Sequence, residues 1–211
     1  MCATIIRIEV AGPERRARRL VFDDGHDSRD VSTAIMRELA LEVGTQIDPT
    51  DLECTLQGIE LDRAKARALQ LLGYRERSEA ELRGKLVASG YPPGVANAVV
   101  ARFVQVELVD DSRFAAAFAR SKVSAGYGNR RIARELQFKG ISESLVADTL
   151  ETLGEREDDV SRARRALRGR APADPNEERR LVRRLVARGF DLATALRAVG
   201  SSAESAGGID A

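Results

Sequence analysis

One short phrase occurs three times in this 211-residue chain and restricts its fold more than any other feature. Leu82, Leu86 and Gly90 are followed by Tyr91, Ile132, Leu136 and Gly140 by Ile141, and Leu181, Leu185 and Gly189 by Phe190. Each copy reads apolar-x-x-x-Leu-x-x-x-Gly-apolar, with Arg or Lys in the gaps. In an α-helix residues i and i+4 share a face, and a glycine just past the last turn closes it. A period near 50 residues points to a stack of small helical units, an architecture suited to elongated partners.

Composition agrees. Charged residues make up 32% and aromatics 4%, with no Trp, which favours charge-laced helices over a compact β-protein. The net charge of +1 is unevenly spread: residues 1–60 carry a net −5 and residues 61–211 a net +6, mostly as arginine. Guanidinium groups fit phosphate and carboxylate forks, so an excess in the repeat region suits an anionic partner. Two cysteines (Cys2, Cys54) and one histidine (His26) cannot assemble a zinc site, and no cofactor or metal is expected. There is no long apolar run, so no membrane contact is expected, and the expected location is the cytoplasm.

Along the chain, Ile6, Ile8 and Val10 alternate with Arg7 and Glu9, and Arg18–Phe22 supplies a second strand, an antiparallel hairpin. A lone hairpin is marginal, so it should pack on the helix that follows, which Ser32 caps and which carries Ile35, Leu39 and Val43 up to Gly44. Asp48-Pro49-Thr50-Asp51 starts another helix, with a possible break at Gly58. Ser78-Glu79-Ala80-Glu81 is a capping box for the first phrase, Asp111 can cap a helix carrying Phe114 and Phe118, and Ser142 a helix carrying Leu145 and Leu153. Asp158-Asp159 occupies the junction comparable to Asp110-Asp111, which reads better as capping than as a metal site.

The expected fold is mainly α, with three tandem three-helix repeats in an elongated curved stack behind a small extension containing a β-hairpin. The boundaries read as 1–60 for the extension, 61–109, 110–154 and 155–200 for the repeats, and 201–211 for a disordered tail. At about 1.5–3 kcal/mol per buried apolar side chain, one unit barely offsets its own ordering entropy, so neighbours should cover each other. The third unit, with Ala193, Thr194 and Ala195, should be the least stable.

Function should lie in the basic residues around the phrases: Arg75, Arg77, Arg83 and Lys85 in the first unit, and Arg120, Lys122, Arg130, Arg131, Arg134 and Lys139 in the second. Arg164, Arg165, Arg168, Arg183, Arg184 and Arg188 follow in the third. The competing view is a solubilising helix face with i,i+4 pairs such as Glu81 with Lys85. Tyr91 aligns with Ile141 and Phe190 and reads as a packing residue, and base stacking by the aromatics is not expected. A Ser-His-Asp triad would have to use His26 in a hairpin loop, and there is no Gly-x-x-x-x-Gly-Lys-Ser/Thr loop, so the chain reads as non-enzymatic.

Arg77-Ser78-Glu79-Ala80-Glu81-Leu82-Arg83-Gly84-Lys85-Leu86 resembles the R-S-x-x-E-L-x-x-K-L signature of the bacterial RecX family. Asp110-Asp111-Ser112-Arg113-Phe114-Ala115 is similar to its D-D-x-x-F-A junction. Arg120-Ser121-Lys122, Gly128-Asn129-Arg130-Arg131-Ile132 and Glu135-Leu136-Gln137-Phe138-Lys139-Gly140-Ile141 resemble its R-x-x-x-G-x-x-x-I-x-x-E-L-x-x-K-G-I. The resemblance covers residues 61 to about 200 and implies a negative regulator of the RecA recombinase. Such a protein would act as a monomer on the RecA filament on single-stranded DNA, inhibiting its ATPase, strand-exchange and coprotease activities, with possible direct DNA contact. The alternative from the residues alone is a nucleic-acid-binding helical protein without a recombinase partner.

Overall fold

A computed structural model of the chain describes residues 2–12, 15 and 17–206. Helices dominate, and a small sheet stands at the N-terminal end. The expected hairpin forms between β1 (Ala3–Ala11) and β2 (Ala17–Phe22), pairing Ile5 with Phe22 and Val10 with Arg18 around a bulge between Ile5 and Arg7. Two further strands, β3 (Arg29–Ser32) and β4 (Gln46–Ile47), extend it into an antiparallel sheet of order β3-β2-β1-β4.

The helix after β3 is shorter than expected. Ser32 Oγ accepts the Ile35 N–H as the cap, but α1 covers only Thr33–Glu38. Ala40 turns left-handed (φ +49°), and Val43 is exposed rather than core.

α2 (Pro49–Tyr74) starts on Asp48, whose carboxylate accepts the Thr50 N–H, and runs unbroken through Gly58. It therefore crosses residues 60 and 61, where extension and repeat were expected to meet. Its buried row is Leu52, Leu56, Glu60, Ala64 and Ala68, in steps of four. Each such step rotates about 40° around an α-helix, so the row turns by roughly 160° along α2. One end serves the sheet core of Ala3, Ile5, Leu20, Phe22, Val31 and Ile35, and the other the core of the first repeat. One helix thus belongs to both, which no boundary in the sequence announces.

The first repeat continues with α3 (Glu79–Ala88) and α4 (Pro93–Gln105). The second is α5 (Asp111–Ser124), α6 (Asn129–Phe138) and α7 (Glu143–Arg156). The third is α8 (Asp159–Leu167), α9 (Pro175–Ala187) and α10 (Leu192–Ala206). α5 already includes Asp111, the residue expected to precede it as a cap. α10 continues past Ser201, where a disordered tail was expected, and residues 207–211 of that expected tail lie outside the described residues.

The three phrases end identically. Gly90, Gly140 and Gly189 have φ of +97°, +81° and +92°. The N–H groups of Tyr91, Ile141 and Phe190 reach back to the carbonyls of Leu86, Leu136 and Leu185, and those of the glycines to Val87, Gln137 and Val186. This pair of bonds is the Schellman motif, which needs a left-handed residue that only glycine adopts cheaply. Ile141 and Phe190 are buried and Tyr91 packs half-buried on its repeat's core, as expected of packing residues.

The chain divides into two compact units, residues 1–110 and 111–211. Each repeat closes its own apolar cluster, around Leu82 and Leu86, around Ile132 and Leu136, and around Leu181 and Leu185. Beside this local closure, repeats 2 and 3 also lie against each other, Gly126 beside Ala166 and Gly128 beside Phe190. Ala115, Ala119, Ala163, Ala166, Ala195 and Ala198 are small and buried, so helices of one repeat approach closely enough to seal it.

Candidate nucleic-acid and partner interface

Within the first unit, the basic residues singled out by sequence divide by burial. Arg77 is only 10% exposed at its side chain, donating from Nε to the Leu71 carbonyl (3.1 Å) and from Nη1 to Glu81 (2.5 Å). Arg75 also pairs with Glu81, the residue whose own N–H is held by the Ser78 cap. These two arginines fasten the end of α2 to the start of α3. Arg83 lies 3.9 Å from Glu79 with its Nε enclosed and without an acceptor, and Lys85 is exposed.

In the second unit, α5 and α6 build a cluster of cations and rings. Glu135 receives Lys122 Nζ at 2.5 Å and Arg131 Nε at 2.8 Å. Lys122 lies 5.0 Å from the Phe118 ring centre and 5.4 Å from that of Tyr127, and Arg131 4.2 Å from Tyr127. Lys139 sits 5.6 Å from Phe118. Hydrogen bonds from Lys122 and then Arg131 hold the Glu135 carboxyl below its ordinary range, against a smaller opposing effect of burial. Three of the sequence-predicted cations are thereby engaged within the fold.

Arg130 and Arg134 differ. Both are exposed, and neither has a carboxylate partner among the described residues. With Arg131 they line a groove of about 310 Å³ whose other wall is Val186, Ala187, Gly189 and Phe190.

This groove exists because repeats 2 and 3 meet backbone to backbone. The Gly128 and Arg130 N–H groups donate to the carbonyls of Arg188 and Gly189, each at 3.0 Å. The N-terminus of α6, rich in unsatisfied N–H groups, meets the carbonyl-rich end of α9, which suits both dipoles. A Cβ on Gly128 would lie 2.4 Å from the Phe190 nitrogen, and one on Gly189 2.4 Å from Arg131 Cβ.

Beside the joint, Asn129 donates to both carboxylate oxygens of Asp159 (3.1 and 2.9 Å) and accepts from Arg162 Nη2 (2.7 Å). Arg162 is buried. Its Nη1 lies 3.0 Å from Asp159 Oδ1, near enough for Coulomb attraction but too poorly aligned for a hydrogen bond, and its Nε has no acceptor. Burial raises the Asp159 carboxyl, with Arg162 opposing. Sequence reasoning missed Asn129, Asp159 and Arg162 as a unit. The signal was there: Asp159 and Arg162 share the face of α8 that carries Ala163 and Ala166.

The remaining candidates are scattered. Arg120 is exposed at a shallow groove between α5 and α7 that Leu145, Asp148 and Leu153 also line. Arg165 pairs with Glu157 at 2.6 Å, Arg164 is exposed but engaged, and Arg168 caps α8 left-handed (φ +53°). Arg183 and Arg184 are exposed on α9, and Arg188 is half-buried. Among the described residues no group of three metal-ligating side chains comes together, and no helix is long and apolar enough to cross a membrane.

Two family domains match the repeats: "RecX, first three-helix domain" over residues 64–103 and "RecX, second three-helix domain" over 110–150. The chain is 35% identical over 152 residues to a regulatory protein RecX of Halorhodospira halophila, covering 70% of this chain and 92% of that one. It is 36% identical over 156 residues to the regulatory protein RecX of Mycolicibacterium vanbaalenii, covering 68% and 83%. A crystal structure of regulatory protein RecX superposes with a TM-score of 0.58 at 22% identity, over 91% of this chain and 96% of that one, which shows the fold. With its helical repeats, their glycine turns and these relatives in agreement, the chain belongs to the RecX family of regulatory proteins.

Proposed function

We propose that the chain is a negative regulator of the RecA recombinase. In this reading it binds the RecA filament on single-stranded DNA as a monomer in the cytoplasm and inhibits ATP hydrolysis, strand exchange and coprotease activity. It performs no catalysis of its own and needs no cofactor. Residues 61–109, 110–154 and 155–200 are taken as its three repeats.

The observation that carries this reading, beside family membership, is the pair Arg130 and Arg134. They are the cations of the second phrase that the fold leaves outward and uncompensated, above a groove the repeat joint creates. Uncompensated guanidinium groups around a concave surface offer bidentate sites to phosphate or carboxylate. Arg77, Lys122 and Arg131, in contrast, are engaged by the fold itself.

The test is RecA-dependent ATP hydrolysis on single-stranded DNA with increasing amounts of this protein. Hydrolysis should fall as the protein is added, and an unchanged rate at several-fold excess over RecA would overturn the proposal. The same two guanidiniums also suit a nucleic-acid-binding protein that works without a recombinase. An unchanged ATPase combined with salt-dependent DNA binding would select that second reading.

A further inference from the structure

α6 turns two faces in two directions. Ile132 and Leu136 are buried, and Arg131, Glu135 and Lys139 are drawn into the cation and ring cluster. At 100° per residue, the remaining arc of roughly 100° holds Gln137, Arg130, Arg134 and Phe138. All four are exposed, and Phe138 is 93% exposed, the most of any large apolar residue described. The arc has no acidic residue.

A phenylalanine so exposed costs solubility and contributes nothing to the core, so its neighbours indicate what it meets. Protein-binding anchors sit at the centre of apolar, well-packed patches. On α6, Phe138 is flanked instead by Arg134 and Gln137, a cation and an amide. Cations at i and i+4 followed by a ring at i+8 advance in steps of about 6 Å along the helix. This order suits a strand that carries a charge at every unit and a flat face beside it. Duplex bases are stacked inside their helix and out of reach of such a ring, whereas unpaired bases stack on aromatic side chains.

We infer that the outer arc of α6 binds single-stranded nucleic acid directly, Arg130 and Arg134 holding its phosphates and Phe138 stacking on an unpaired base. The groove beside Arg130 and Arg134 gives the sugar-phosphate chain a seat. Gln137 is placed to hydrogen-bond a base edge. The inference deepens the proposed function by naming what this surface touches, and it stands or falls without the recombinase.

The test uses the full chain, no RecA, and a fluorescein-labelled single-stranded oligonucleotide read by anisotropy. A second oligonucleotide carrying 2-aminopurine reports stacking by its fluorescence. Phe138→Ala should weaken binding about 5- to 150-fold, the range for one lost base–aromatic stack, and abolish the 2-aminopurine change. Its salt dependence should stay that of the wild type. Phe138→Trp should restore affinity and Phe138→Leu should not. Arg130→Ala/Arg134→Ala should reduce the slope of log K against log salt by about 1.4, at 0.7 per phosphate contact. Circular dichroism should show unchanged helicity for all of these surface variants.

Equal affinity of Phe138→Ala and wild type would overturn the inference, as would full rescue by leucine or no binding by the wild type at low salt. Weaker binding of Phe138→Ala to RecA alone, with DNA binding intact, would reassign the arc to a protein partner. In each of these failures the recombinase reading is still decided separately, by the ATPase.

Discussion

Alanine at Gly128 should separate the second and third repeats. The backbone there (φ −88°, ψ 166°) is open to any residue, so the substitution carries no conformational strain. The added Cβ would lie 2.4 Å from the Phe190 nitrogen and 2.5 Å from the Gly189 carbonyl carbon and oxygen. All three are backbone atoms, and no rotamer change relieves them. Restoring a carbon contact of about 3.5 Å requires the repeats to part by roughly 1 Å. That shift would stretch the two 3.0 Å bonds to Arg188 and Gly189 beyond hydrogen-bonding range. Overpacking costs about 1–3 kcal/mol, and two lost bonds about 0.5–1.5 kcal/mol each, for a total of about 2–6 kcal/mol. Gly84→Ala is the control: it lies within α3 with no atom within 4 Å of its Cβ, and should stabilise by about 0.5–1 kcal/mol. Hydrogen exchange read by mass spectrometry follows each unit separately. Faster exchange in 125–140 and 180–195 is expected for Gly128→Ala, with residues 1–110 unaffected. A loss below about 1 kcal/mol, no more than an ordinary N-cap change, would refute the joint.

Three more outcomes follow from the same contacts. Arg29 donates to the fully buried Glu60 at 3.0 Å and to Glu53 at 2.8 Å, so Arg29→Ala should cost about 3–5 kcal/mol by leaving Glu60 uncompensated. Burial already raises the Glu60 carboxyl, so folding favours its protonated form; the loss should be full at pH 8 and shrink as pH falls towards 4, in paired urea titrations. Glu135→Gln should destabilise by about 1–2 kcal/mol at pH 7, because Lys122 and Arg131 lose the negative charge and one of the two acceptor oxygens they share. The wild-type Glu135 carboxyl is depressed, so its contribution is complete above about 4.5 and lost as pH falls through the lower folded value; the two proteins should converge below that. Arg77→Ala should lower thermal stability by about 1.5–3 kcal/mol, whereas Arg130→Ala/Arg134→Ala should move it by less than about 0.5 kcal/mol, in thermal melts of both.

Helix spacing, capping residues and glycine ends follow from neighbours in sequence, and so the three phrases foretold three helices closed by Schellman turns. α2 shows where local reasoning stops. Its rotating buried row joins two cores, and only the tertiary partners show which half of the row serves which. Arg77 and Arg130 are the same residue type beside the same phrase, yet one is held against Leu71 and Glu81 and the other faces solvent. That difference comes from how the end of α2 meets the start of α3, which places the Leu71 carbonyl and Glu81 within reach of Arg77. Phe138 was legible in principle, since it sits four residues after Arg134 and off the Ile132/Leu136 face. The expectation that no aromatic stacks on bases passed over it. The Gly128–Gly189 joint pairs residues 61 apart, and nothing local to either signals the other.

The most direct test of the account is to titrate RecA-dependent ATP hydrolysis on single-stranded DNA with the wild type, with Arg130→Ala/Arg134→Ala and with Glu53→Gln, a substitution in the other unit. Wild type and Glu53→Gln should inhibit at the same concentration, and the double variant should need at least about tenfold more, the equivalent of about 1.4 kcal/mol of lost binding. Superimposable curves for all three, or no inhibition by any, would contradict the claim that regulation runs through the outward arginines of the second repeat.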